Sequence, residues 1–253
     1  MKNIFKVFVV IFLFGSFPAT AQKVKYSKEE LSHLKSYYFN EGFSLPSRKK
    51  ISTLILKDGS EEKGYCQNVK TKKGQIHTFI LNDSITGETK EFSADNIAEA
   101  YVFARGIEKF GKLSDQIGRA GTSKRNDTKK ATTDDEIYFV SLPVSLNNKR
   151  KEQYFLMQLL NPDFDDVISV YYDPAASESK GTSVGGLTLG GGVLKAYYFK
   201  KGDRIFRLGK SDFKKEYENL FGDNKEFMEK YPLNSVNWDW LSALVVEYTK
   251  MSL

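Results

Sequence analysis

The chain has 253 residues, of which 40% are hydrophobic and 28% charged, and its formal net charge is +6. This composition is typical of a folded chain with a sizeable core, and the mild charge does not by itself indicate a polyanionic partner. Because Cys66 is the only cysteine, an intrachain disulfide is excluded and the fold must depend on its hydrophobic core.

The first residues have the three parts of a secretory signal peptide. Lys2 and Lys6 give a positive start, residues 7–14 form an unbroken apolar run, and Ala19-Thr20-Ala21 matches an A-x-A cleavage site. The apolar run is too short to cross a bilayer, which needs about 20 residues. We therefore expect residues 1–21 to be a signal peptide cleaved near Ala21. The mature chain is expected to be periplasmic or secreted and to lack a transmembrane segment.

An N-terminal helix and a linker are predicted over residues 22–49. Ser27 and Glu30 have the spacing of a capping box, and apolar residues recur on one helical face behind them. The pattern predicts a helix over 27–41, with Gly42 as its end. The linker that follows contains the basic run Arg48-Lys49-Lys50.

Residues 50–104 alternate short β-branched segments with turn residues. About five strands in so short a stretch are typical of a small, strongly bent β-barrel. The predicted turns share a glycine or an Asp-Asn pair: Asp58-Gly59, Lys73-Gly74, Thr86-Gly87 and Asp95-Asn96. Cys66 lies in the second strand, where a small buried apolar residue is expected and a reactive thiol is the alternative.

Residues 105–135 lack hydrophobic periodicity and are rich in small and basic side chains, which predicts a flexible basic loop. One interpretation is a solvated linker. The other is an electrostatic contact with an anionic surface such as lipid headgroups or polysaccharide. The residues that would make this contact are Lys124, Arg125, Lys129 and Lys130.

Residues 136–253 predict a second antiparallel sheet followed by helices. Strands are expected over 137–146, 153–160, 167–172, 193–200 and 205–208, with a small-residue loop from 174 to 192. Bulky side chains at four successive positions, 154–157, indicate a strand that is covered on both faces.

Three helices are predicted in the tail, capped at Ser211, at Asp223 with Glu226, and beginning near Trp238. Trp238 and Trp240 are two positions apart and must therefore point to different sides. We expect at least one to be core, and the other is a candidate stacking surface for a sugar or a partner.

Four short segments, two in each half of the chain, follow one another in an order that is found in a known group of proteins. The hairpin Leu54-Ile55-Leu56-Lys57-Asp58-Gly59 and the turn Asp95-Asn96-Ile97 belong to the first half, and Tyr197 to Asp203 and Val245-Val246-Glu247-Tyr248 to the second. Together they resemble uncharacterised exported proteins of Bacteroidota, in which a small SH3-like or Sm-like barrel module precedes a sheet and a helical tail. The resemblance implies this fold and no functional residues.

Catalytic chemistry has few candidates in this chain. His33 and His77 are the only histidines, and no H-E-x-x-H, C-x-x-C or G-x-S-x-G motif occurs. The glycine-rich run 185–192 lacks a phosphate-loop pattern and precedes a strand, so a hairpin loop is expected. Two acidic runs, 134–136 and 163–166, do not match an EF-hand and are interpreted as solvated turns, with a calcium or carboxylate site as the alternative.

The sequence therefore predicts an α+β protein: a small bent β-barrel plus an antiparallel sheet with C-terminal helices. No catalytic, cofactor or metal residues are assigned, and no nucleic acid is expected as a partner. The favoured function is a non-catalytic binding or interaction module of the cell envelope, with a protein or an anionic envelope component as partner. A strand edge, or the loops near 105–135 and 174–192, would carry the site. A carboxylate-based enzyme acting on envelope polymers and a purely structural envelope protein are the alternatives.

Overall fold

The computed structural model describes residues 23–43, 45–104, 136–148, 151–176, 182–184, 187–189 and 194–253. The first sheet has seven strands: β1 (Ile51–Leu56), β2 (Glu61–Lys72), β3 (Gln75–Asp83), β4 (Thr89–Ser93), β5 (Ile97–Phe103), β6 (Glu136–Val144) and β7 (Gln153–Gln158). The second sheet has β8 (Ile168–Tyr171), β11 (Ala196–Lys201) and β12 (Arg204–Gly209), and a separate hairpin has β9 (Thr182–Val184) and β10 (Leu187–Leu189). The helices are α1 (Lys28–Leu34), α2 (Phe213–Phe221), α3 (Lys225–Lys230) and α4 (Leu241–Ser252).

The first sheet is a closed antiparallel barrel of six strands, which run in the order β2, β1, β5, β6, β7 and β3 before β3 pairs back with β2. β4 pairs with β3 outside this ring. The four predicted turns are all present, and the glycines at 59, 74 and 87 have φ values of +86°, +82° and +72°. Because this left-handed region is nearly free of strain only for glycine, the sequence signal for these turns is strong.

The barrel extends beyond the predicted range of 50–104. Its ring is completed by β6 and β7, which the sequence pattern assigned to the second sheet, while β4 adds to the edge of β3. The second sheet is therefore smaller than expected over 136–209 and has the three strands β8, β11 and β12. The fold class itself is confirmed: a small barrel, a second antiparallel sheet and C-terminal helices.

β7 joins the two halves of the molecule. Leu156 is buried in the barrel core, whereas Phe155 and Met157 are buried in a cluster that contacts Tyr198 of the second sheet. This arrangement confirms the prediction that the strand is covered on both faces. Only Tyr154, at the start of the run, is exposed.

A third cluster packs the helices onto the second sheet. Phe213, Tyr217, Leu220 and Phe221 lie buried along one face of α2, as their spacing predicts. Gly222 ends α2, also as predicted. The caps differ slightly from expectation: Asp212 rather than Ser211 precedes α2, and the Asn224 side chain caps α3 by accepting a hydrogen bond from the Phe227 amide.

α1 is shorter than the predicted span of 27–41. The Ser27–Glu30 capping box is present, but the helix ends at Leu34. Beyond it the chain turns to extended structure, and the Asn40 amide donates to the Leu160 carbonyl. Gly42 does not cap the helix; a Cβ atom there would lie 2.2 Å from the Tyr172 ring, so glycine permits a close approach of the chain to that ring. Tertiary pairing thus overrides the local helical pattern.

Candidate binding site

A shallow cleft lies where the end of α1 meets the turn that precedes α4. Its volume is about 430 Å³, and it is lined by Lys35, Tyr38, Asn237, Asp239 and Trp240. Two of these residues are aromatic, and the others supply an ammonium, an amide and a carboxylate. Tyr38 is one of the few large hydrophobic side chains with an exposed surface, at 39%. The cleft thus combines apolar faces with hydrogen-bonding groups, as small-ligand sites do.

The local sequence explains how Trp240 reaches the cleft. A 3₁₀ turn, Trp238–Trp240, precedes α4, and the Asn237 side chain caps it by accepting a hydrogen bond from the Asp239 amide at 2.9 Å. Trp238 points inward, is 3% exposed and donates its indole N–H to the Leu194 carbonyl at 2.8 Å. Trp240 is only partly buried. The expectation that the two indoles point to different sides is therefore confirmed.

The indole of Trp240 packs against the ring of Tyr26. Tyr26 lies edge-on to it with a centroid separation of 5.9 Å, and Tyr26 also contacts Tyr231 at 6.0 Å. Burial raises the pKa of the Tyr26 hydroxyl to about 12, so this ring stays neutral over the ordinary pH range. Trp240 therefore packs against an uncharged tyrosine ring that in turn contacts Tyr231.

The charges around the cleft are of both signs. Asp239 forms an ion pair with Lys210 at 3.2 Å, and both side chains remain about half exposed, so the pair is weak. Lys35 forms no ion pair with another residue in the part of the chain that the structure describes. Its ammonium is therefore available to a ligand on the α1 side of the cleft.

One wall of the cleft follows α1 and the other precedes α4, and Glu247 of α4 forms hydrogen bonds that connect them. Its carboxylate accepts hydrogen bonds from the Tyr231 hydroxyl at 3.2 Å and the Lys250 ammonium at 3.2 Å, and it lies 3.1 Å from His33 Nε2 on α1. The Ser242 hydroxyl adds a bond to the Tyr37 carbonyl. These contacts hold the segment that carries Lys35 and Tyr38 against the segment that carries Trp240.

Glu247 is 8% exposed, and a buried carboxylate normally resists ionisation. Burial pushes its pKa upward, but the hydrogen bond with His33 and the charge of Lys250 outweigh this, and the pKa lies below the ordinary value of 4.5. The carboxylate is therefore ionised at neutral pH. Sequence reasoning missed this group because Glu247 and His33 are 214 positions apart and only the fold brings them together.

The cysteine, histidine and acidic residues that the sequence offered as other candidates do not lie together in a second site within the described residues. Cys66 is 3% exposed inside the barrel core, which agrees with a buried apolar role. His77 Nδ1 lies 2.9 Å from the Thr78 hydroxyl of the same strand. Asp163, Asp165 and Asp166 precede β8, and no group of three potential metal ligands occurs among the residues that the structure describes.

Several predicted features lie outside the described residues. They include the signal peptide over 1–21, the basic residues Lys124, Arg125, Lys129 and Lys130, and the acids Asp134 and Asp135. Glu136, the last acid of that run, begins β6, and burial raises its pKa. Of the glycine-rich run only residues 187–189 are described, and they pair as β10 with β9.

Comparison with known proteins leaves the fold and the cleft as the basis for any functional assignment. No family model, curated protein or solved structure matches the chain. Within the described residues, no helix combines the length and the apolar character that a membrane span requires.

Proposed function

We propose that this protein is an exported, non-catalytic binding module of the cell envelope that holds a saccharide in the cleft beside Trp240. The signal-peptide pattern of residues 1–21 supports export. The single observation that carries the binding role is the pairing of two partly exposed aromatic rings, Trp240 and Tyr38, with polar side chains in one cleft.

The chemistry of a sugar ring fits this set of groups. One face of a pyranose presents C–H groups that pack well on an aromatic ring, and its edge presents hydroxyl groups that need hydrogen-bond partners. Trp240 and Tyr38 offer the rings, while the Asn237 amide and the Asp239 carboxylate offer a donor and acceptors. Lys35 would favour a saccharide with an anionic substituent.

The test is a titration of the purified mature protein with two soluble probes, a tetramer of N-acetylglucosamine and a glucose tetramer. Because Trp238 is buried and Trp240 lines the cleft, binding should change the intrinsic tryptophan fluorescence mainly through Trp240. We expect at least one probe to bind with a Kd in the millimolar range or tighter, as is ordinary for a shallow cleft.

Variants identify the site of binding. Trp240→Ala should weaken binding by about tenfold or more, because it removes a stacking surface. Lys35→Met should weaken binding of these neutral probes by a few-fold at most, because the ammonium can only donate hydrogen bonds to their hydroxyl groups. Tyr154→Ala removes an exposed aromatic of the barrel and serves as the matched control. Equal losses in Trp240→Ala and Tyr154→Ala, or no binding of either probe, would remove the cleft as a saccharide site.

A further inference from the structure

Residues 23–43 form a strap that packs on the C-terminal helices and has little regular structure of its own. Its one regular element is α1, a helix of seven residues, and the remainder of the strap belongs to no helix or strand. An isolated helix shorter than about 12 residues is marginally stable in water even when its sequence is favourable. The strap therefore depends on contacts with the rest of the molecule for its conformation.

The strap buries few of its side chains. Within it only Leu34 and Gly42 are buried, and Leu34 inserts its side chain into the core that the C-terminal helices form with the second sheet. Tyr26, Tyr37 and Phe39 pack against that core but remain partly exposed. Because segments with few buried apolar contacts open at a lower free energy than the core does, we expect the strap to open first.

Separate hydrogen bonds attach the strap along its length. At its start the Val24 amide donates to Ser235 Oγ at 2.7 Å, and near its end the Asn40 amide donates to the Leu160 carbonyl at 2.7 Å. Between these points lie the hydrogen bonds that join the strap to α4. No strand pairing of the described residues includes the strap, so its release would leave both sheets paired.

The strap also supplies one wall of the cleft. Lys35 and Tyr38 belong to it, whereas the other three lining residues belong to the turn before α4. Tyr26, which packs against the indole of Trp240, is part of the strap as well. Release of the strap would therefore remove two of the five lining residues and the ring that contacts Trp240. A ligand that contacts both walls can bind only while the strap is docked.

We propose that residues 23–43 open and close as one unit while the rest of the molecule stays folded, and that only the closed form has the cleft. Strap docking and ligand binding are then linked: a ligand in the cleft favours the closed strap, and opening of the strap releases the ligand. The strap thereby regulates the occupancy of the cleft. The ligand part of this inference rests on the proposed saccharide binding, whereas the opening of the strap does not.

The first test measures amide hydrogen exchange of the full mature protein, residue by residue, by NMR. Ser27→Ala removes the capping box of α1 and leaves every lining residue of the cleft in place. We expect the amides of Asn40 and Phe43, which donate to Leu160 and Gln158, to exchange about fivefold faster in this variant. Both amides lie beyond α1, so opening of the whole strap is what transmits the loss of the cap to them.

Ile97→Val is the matched control, because it weakens the barrel core by a similar amount without touching the strap. It should accelerate the most slowly exchanging barrel amides by about fivefold and leave the strap amides unchanged. Equal acceleration of the strap amides in Ile97→Val would mean that the strap opens only when the whole molecule unfolds, which overturns the proposal. Acceleration in Ser27→Ala that is confined to α1 would also overturn it, because the strap would then not open as a unit.

The second test repeats the exchange measurement with the N-acetylglucosamine or glucose tetramer at ten times its Kd. The strap amides should exchange about tenfold more slowly, because only the closed form binds the probe. The Gly87 amide, which donates to the Asp83 carbonyl in the turn before β4, is the internal control and should keep its rate. Binding that leaves the strap amides unchanged would overturn the coupling. Absence of binding by both probes would instead remove the proposed function, and the comparison of Ser27→Ala with Ile97→Val would decide the opening of the strap alone.

Discussion

At the scale of single residues, the fold depends on a few side chains whose partners are distant in sequence. Glu247 connects α4 with α1 through His33 and with the end of α3 through Tyr231, and within α4 it accepts a hydrogen bond from Lys250. Its burial makes the carboxylate costly unless these partners stay in place. The same contacts join the two walls of the Trp240 cleft, so a change at Glu247 acts on both stability and binding.

Glu247→Gln should therefore destabilise the protein by about 2 kcal/mol at pH 7, the usual size of a lost charged hydrogen-bond set with partly exposed partners. The pKa of Glu247 is lower in the folded chain than its ordinary value of 4.5. Its contribution is thus present above pH 4.5 and is lost as pH falls through the lower folded-state pKa. Urea unfolding of both proteins from pH 7 to pH 3 checks this, and the two curves should converge at the acid end.

The exposed Glu229→Gln on α3 is the matched control for this prediction, because it removes one carboxylate without removing a buried network. It should change stability by less than about 0.5 kcal/mol at every pH. A difference between Glu247→Gln and the wild type that stays constant down to pH 3 would show that the carboxylate charge is not what stabilises the fold.

At the scale of elements, local signals predicted the turns well and the strand partners poorly. Asp58-Gly59 and Lys73-Gly74 lie at hairpins because a positive φ is a local requirement that only a few residue types meet. The closure of the barrel by β6 and β7 is a matter of long-range register, which no short window of sequence carries. The end of α1 at Leu34 was missed for the same reason, since the chain beyond it pairs with Leu160.

One such long-range element contact can be tested directly at the edge of β12. The backbone of Asn148 has φ +55°. Its side-chain amide pairs with the backbone of Arg207 as a neighbouring peptide group would: Oδ1 accepts from the Arg207 amide at 2.9 Å, and Nδ2 donates to the Arg207 carbonyl at 2.7 Å. Asn148→Ala loses both bonds and also places alanine in a left-handed conformation. We expect a loss of about 2 kcal/mol in thermal or urea unfolding.

Asn148→Gly separates the two causes, because glycine accepts the positive φ but makes neither bond. If the hydrogen bonds stabilise the edge of β12, Asn148→Gly should remain clearly less stable than the wild type. Full recovery in the glycine variant would assign the whole effect to backbone strain and none to the Arg207 contact.

At the scale of the whole molecule, β7 joins the barrel core to the cluster that contains Tyr198 of the second sheet. The candidate site lies at a contact between the two ends of the described chain. The sequence predicted that at least one of Trp238 and Trp240 is core and that the other is a candidate stacking surface, because positions two apart on a turn point to different sides; the structure identifies Trp240 as the exposed one. It did not indicate Lys35, Tyr38 or Asp239, since a cleft between distant segments leaves no local pattern. The Asn237 cap was readable in principle, because an asparagine before the last helical pattern is a common N-cap.

The closure of the barrel by β7 gives the last prediction, for which Cys66 is a built-in probe. Its thiol is buried in the core that Leu156 of β7 completes, so a thiol reagent can reach it only when the barrel opens. Native labelling should therefore be slow and should accelerate in urea.

Leu156→Ala removes a side chain that is 1% exposed and should cost about 3 kcal/mol, which raises the open population and the labelling rate by about 100-fold. Tyr154→Ala on the exposed side of the same strand is the control and should leave the rate within a few-fold of the wild type. Rapid labelling of the native protein, or a rate that Leu156→Ala leaves unchanged, would mean that Cys66 is reached without opening the barrel and that β7 does not govern its closure.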